Sequence, residues 1–143
     1  MLFIKQQVLS HICDAVISSD VEQGFILGSQ TRLDQLDYCR EIPAVQASLN
    51  FYKPNSVVAD TIIQQWANTN VCFSGYLHTH IGEKNDFSEA DVAFAKKLYN
   101  AYQLPLLWFG LAVVNASTIS LYFYSVEELD GTIQIVPTPY QSV

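Results

Sequence analysis

The stretch "VCFSGYLHTHIGEKNDFSEAD", residues 71–91, runs an apolar segment into two histidines one residue apart, then opens a helix with a serine and an aspartate. Val71 to His80 has the length and composition of a strand and stops at a polar break, "IGEKND". Side chains of a strand alternate between its faces, so His78 and His80 at i and i+2 point the same way. A helix is expected from Ser88 to about Tyr102. Asp91 lies in its first turn, on the side that carries Ala95, Leu98 and Tyr102. A carboxylate on that buried stripe is costly unless it is paired, hydrogen-bonded or bound to a metal. Only three histidines occur in the chain, and two of them stand beside this aspartate. His78, His80 and Asp91 would supply three ligands to a tetrahedral zinc ion and leave its fourth position open for water, which distinguishes a catalytic site from a closed structural one. Ser88-x-x-Asp91 also reads as a capping box. A serine there can cap the helix through one lone pair while its hydroxyl donates to a bound substrate.

Working outward, residues 4–17 carry Val8, Ile12, Ala15 and Val16 at helical spacing, with His11 at the edge of the stripe. "VEQGFILGSQTR" and "LDQLDYCREIPAV" read as two antiparallel strands. Gly24 and Gly28 fall on one face of the first, where another group can approach the backbone closely. "NFYKPNS" is a loop signal, with Ser56 as the expected N-cap of a helix running to about Ala67. Its stripe is Val58, Ile62 and Trp66. After Pro105, "LLWFGLAVVN" and "TISLYFYSV" read as strands, "EELDGT" as a turn and "IQIVP" as a last edge strand. The order α, β, β, α, β, α, β, β does not alternate as a doubly wound fold does. It predicts one α+β domain over residues 1–143, with a mixed, largely antiparallel sheet flanked by helices.

Composition narrows the function classes. The 143 residues are half hydrophobic, which provides for one core and not two. A net charge of −7 on seven basic residues, with no basic cluster beyond Lys96-Lys97, argues against nucleic acid as a partner, because that affinity comes largely from basic side chains displacing counterions. No run has the length of a membrane span. Lys5, Gln6, Gln7, His11 and Asp14 interrupt any signal-peptide core near the start. Cys13, Cys39 and Cys72 are odd in number, widely spaced and without a C-x-x-C pair, so they are expected as reduced core thiols in a cytoplasmic protein. Trp66 and Trp108 are expected in the core, and Glu83 and Asp86 in a solvated loop.

"HTHIGEKNDFSEAD" resembles the H-x-H-x7-S-x-x-D motif of the JAMM metalloproteases, the catalytically competent branch of the MPN domain family. "VEQGFILGS" is similar to the upstream glutamate motif of bacterial members, with Glu22 at the position of the glutamate. The resemblance covers nearly the whole chain, from the first helix to "LLWFGLAVVN". It implies an MPN-type, cytidine-deaminase-like α/β sandwich and a zinc-dependent peptidase or isopeptidase. His78, His80 and Asp91 would hold zinc, Glu22 would serve as general base and then acid, and Ser88 would donate to the oxyanion. The implied substrate is a peptide, or the tail of a ubiquitin-like protein. The chain departs from the family pattern at Ile81 and Phe87, where prolines are usual, and at Phe25, where a glycine is usual. The alternative is a catalytically silent MPN-type module that binds protein as a scaffold; such members typically lack the histidines or the aspartate, which this chain retains.

Overall fold

A computed structural model of the chain describes residues 1–17, 19–47, 52–82 and 87–143. Its elements in order are β1 (Leu2–Ile4), α1 (Gln6–Val16), β2 (Gly24–Ser29), β3 (Gln35–Leu36), β4 (Tyr38–Ile42), β5 (Ala44–Ala47), β6 (Tyr52–Pro54), α2 (Ser56–Ala67), β7 (Cys72–Ile81), α3 (Glu89–Tyr102), β8 (Leu107–Asn115), β9 (Thr118–Leu129), β10 (Thr132–Thr138) and β11 (Tyr140–Ser142). The fold is α+β, as the element order predicts. A six-stranded sheet in the order β10-β9-β8-β7-β2-β4 dominates it. Every pairing in that sheet is antiparallel except β7 with β8. A parallel pair needs a crossover connection, and α3 supplies it.

Two apolar cores lie on opposite faces of the sheet. On one, Val8, Ile12 and Val16 of α1 pack with Phe25, Leu27, Leu77, Trp108 and Ala112. On the other, Ile62 and Trp66 of α2 and Ala95 of α3 pack with Ile26, Tyr76 and Phe109. Alternation along the strands produces this division: Leu77 faces α1 while Tyr76 faces the other helices. β8 is buried along all of its length but Asn115, which explains its unbroken apolar sequence. Gly28 is a close-approach position, since a Cβ there would lie 2.9 Å from the Trp66 ring and 2.8 Å from Val71. At Gly75 a Cβ would run into the Trp108 carbonyl.

Several sequence expectations are revised. α1 begins at Gln6, because Leu2 and Ile4 instead alternate into the core as a strand between β11 and β3. Pro43 divides "LDQLDYCREIPAV", with β4 ending before it and β5 starting after it. The N-cap of α2 is Asn55 and not Ser56; its side chain accepts from the Val58 N–H at 3.3 Å. Pro54 ends a short strand, β6, paired with β5, while residues 50 and 51 of the expected loop lie outside the described residues. "EELDGT" is a turn only at Asp130-Gly131, since Glu127–Leu129 extend β9. Cys72 is exposed and Cys13 and Cys39 are half-buried; all three are free thiols, and burial pushes Cys39 up to about 12. Among the described residues no helix is long and apolar enough to cross a membrane.

One buried carboxylate ties the N-terminal part together. Asp37 is 1% exposed and accepts from the Gln30 N–H at 2.7 Å and from Gln35 Nε2 at 2.8 Å, with Lys5 Nζ at 3.4 Å. Burial alone would raise its pKa, but these donors outweigh burial and hold it below the ordinary carboxylate value. Asp37→Ala is expected to lose about 2–3 kcal/mol of stability at pH 7, the scale of hydrogen bonds to a charged group. Because the folded-state pKa is depressed, that contribution is complete above the unfolded value of about 3.9 and disappears as pH falls through the folded value. Urea unfolding of both proteins at pH 7 and below pH 3 checks this: the difference between them should shrink in acid.

Candidate metal centre

His78 and His80 are placed by pairing on both edges of β7. Gly24 of β2 lies opposite His78, and on the other side Leu111 and Val113 of β8 lie opposite His78 and His80. The imidazoles stack at 4.9 Å between centroids. His78 is buried and sits edge-on to Phe109 at 5.6 Å, Tyr76 at 6.1 Å and Phe87 at 6.4 Å. These rings fix its orientation and exclude water from one side. Tyr76 was legible as a neighbour two residues along the same face. Phe109 and Phe87 reach the site only through the crossover, and nothing in their local sequence announces it.

Asp91 comes from the first turn of α3. The Ser88 side chain accepts from the Asp91 N–H at 3.1 Å, and Asp91 Oδ2 accepts from the Ser88 N–H at 2.9 Å, a complete capping box. The same carboxylate meets both imidazoles, with Oδ2 at 3.1 Å from His80 Nε2 and Oδ1 at 3.3 Å from His78 Nε2. The two Nε2 atoms are 3.1 Å apart. Burial would raise the Asp91 pKa; the two imidazoles and then the Ser88 N–H outweigh it and hold the carboxyl well below the usual range. It is therefore an anion at any physiological pH.

The donor set fits a transition-metal ion. Tetrahedral ligands at 2.0–2.1 Å are separated by about 3.3 Å, close to the 3.1 Å between the two imidazole nitrogens, and the carboxylate faces that pair through both of its oxygens. One potential ligand atom from each of His78, His80 and Asp91 lies within 4.8 Å of the others, and two imidazoles with one carboxylate suit zinc among several metals.

Glu22 precedes β2 and is 6% exposed. The β2–β7 register carried two residues beyond Gly24 sets Glu22 opposite His80, and the Thr79 N–H donating to the Gln23 carbonyl at 2.9 Å shows that the pairing does extend past the strand. Alternation then puts Glu22 on the histidine side of the sheet. It borders an open groove of about 460 Å³ walled by Val21, Gln23, Glu41 and Ile42. Ser88 is exposed at the mouth of the site. His11 is remote from it, exposed on α1 and edge-on to Phe25. Glu83 and Asp86 lie outside the described residues.

No family model matches the chain, and no curated protein sequence matches it. The solution structure of protein DSY2949 from Desulfitobacterium hafniense is similar over 100% of this chain and 93% of its own, with a TM-score of 0.77 at 12% identity. At that identity the likeness concerns the fold alone.

Tag-free protein supplied with zinc is expected to carry about one equivalent, and His80→Ala or Asp91→Ala to carry none. Elemental analysis decides this, and stoichiometric zinc in either variant would count against the assignment. Zinc at a hundred times its dissociation constant should stabilise the wild type by about 2.7 kcal/mol.

Proposed function

We propose that the chain is a zinc-dependent metallopeptidase of JAMM type that hydrolyses a peptide or isopeptide bond in the cytoplasm. The observation that carries this reading is the convergence of His78, His80 and Asp91 at 3.1–3.3 Å. It is supported by a buried acid, Glu22, on the histidine side of the sheet and by the exposed Ser88 at the start of α3. The α+β architecture, with helices on both faces of a mixed sheet, is compatible with the MPN-type, cytidine-deaminase-like sandwich that the sequence resemblance implies.

In this reading His78, His80 and Asp91 hold the ion. A bound zinc lowers the pKa of water toward neutrality and polarises the substrate carbonyl. Glu22 takes the proton of the attacking water and returns it to the leaving amine, acting as base and then acid. Ser88 keeps its lone pair on the Asp91 N–H, so its O–H remains available to donate to the oxyanion, a contribution of about 3–4 kcal/mol for donors of this kind. The Phe87, Phe109 and Tyr76 rings keep the low-dielectric side of the site dry, which strengthens each of these interactions. The substrate is a peptide or the tail of a ubiquitin-like protein.

Glu22→Gln tests the assignment, because it keeps the shape of the side chain and removes its capacity to accept a proton. The variant should retain zinc and lose hydrolysis of amide substrates by about 100-fold or more. Full activity in it would mean that another group is the base. Zinc without hydrolysis in the wild type, across peptide and ubiquitin-tail substrates, would favour a protein-binding module.

A further inference from the structure

Thr79 stands between the two histidines, is 1% exposed, and takes no part in the chemistry above. By alternation its side chain points away from the imidazoles. It clasps the residue that follows Glu22 at two points. Thr79 Oγ1 accepts from the Gln23 N–H at 2.8 Å, and the Thr79 N–H donates to the Gln23 carbonyl at 2.9 Å. The Gln23 side chain is anchored separately, with Nε2 donating to Glu41 Oε1 at 2.6 Å and to the Ala15 carbonyl at 3.2 Å. β2 begins only at Gly24, so the clasp extends the pairing one residue past the strand, up to the peptide that carries Glu22.

We infer that Thr79 is a positioning residue: by pinning Gln23 to the α1 side of the sheet, it turns Glu22 to the histidine side and holds its carboxylate level with the metal ligands. The inference rests on the hydrolase reading's assignment of Glu22. A main-chain hydrogen bond alone would leave the peptide free to tilt about that bond. The hydroxyl adds a second point of attachment, and two points define an orientation. The residue between the histidines therefore couples the base to the ligands through one buried side chain, so that both are placed by the same stretch of β7.

The test uses the full chain loaded with zinc, or with cobalt as a spectroscopic substitute. Thr79→Val fills the same volume and removes the acceptor; Thr79→Ser restores it. Gln23→Ala, at a partly exposed position, releases the other anchor of the same segment should the valine variant fold poorly. In Thr79→Val the expected results are unchanged metal stoichiometry and amide exchange at Gln23 faster by about tenfold or more, with exchange in α3 unchanged. The cobalt visible spectrum should move in the same direction as in Glu22→Gln. On amide substrates kcat should fall about 10- to 100-fold with KM unaltered, as for a misplaced catalytic group, and Thr79→Ser should recover each property. Gln23→Ala should show the exchange and spectral changes in smaller measure. An unchanged Gln23 exchange rate in Thr79→Val, or a cobalt spectrum that responds to Glu22→Gln and not to Thr79→Val, would overturn the inference. A spectrum that responds to neither would also overturn it, by removing Glu22 from the metal. The exchange and spectral readouts need no turnover, so an inactive wild type would defeat the hydrolase reading while leaving the clasp to be judged by them.

Discussion

β7 is paired on both edges up to the first of its histidines and on the β8 edge through the second, and the candidate centre depends on that constraint. With β2 on one side and β8 on the other, the backbone at His78 cannot shift without breaking two ladders, and that at His80 is held by β8 and by the Thr79–Gln23 bond next to it. A site built on such a strand holds its geometry more closely than one built on a loop. The parallel partner β8 imposes a further condition, because the chain must cross over before it can pair. The crossover begins at Ser88, a few residues after β7 ends, and so delivers the start of α3 to the same end of the sheet as the imidazoles. The His78, His80 and Asp91 cluster, the helix start and the sheet order thus follow from a single pairing choice.

The aromatic surroundings of His78 show how packing and chemistry share residues. Phe87, Phe109 and Tyr124 form one edge-to-face cluster, with Phe87 4.5 Å from Tyr124 and 5.2 Å from Phe109. Phe87 stands where the family that the motif resembles usually has a proline. It stiffens the entry to α3 by burial where proline would do so by restricting φ.

Much of this was legible in the sequence, and the reason is periodicity. The stripes Val8-Ile12-Val16 and Ile62-Trp66, and the alternation through His78 and His80, depend on local geometry alone. The meeting of His78, His80 and Asp91 was legible because a two-residue spacing on a strand and a first-turn position on a helix each fix a direction. What escaped was set by distant partners. Leu2 and Ile4 continue a helical stripe on paper and form a strand because β11 and β3 flank them. β5 and β6 are too short to stand out, and β11 follows Pro139 with no apolar alternation. Asn55 competes with Ser56 as a cap at neighbouring positions, and only the backbone of the loop decides between them. The Thr79 clasp joins residues 56 positions apart, and no local pattern encodes it.

Asp91 serves two ends with one carboxylate, since it closes the capping box of α3 and faces both imidazoles. Those uses would part company in a lineage under no selection to keep the three side chains together. Selection for a well-started helix would still retain Ser88 and Asp91, because losing a cap costs about 1 kcal/mol whatever the protein does. The histidines cap no helix, and a strand buried on this face accepts apolar residues more readily than imidazoles. In descendants of this chain the serine and aspartate would therefore outlast a metal-holding cluster, and the histidine pair would be the part of the motif that records it.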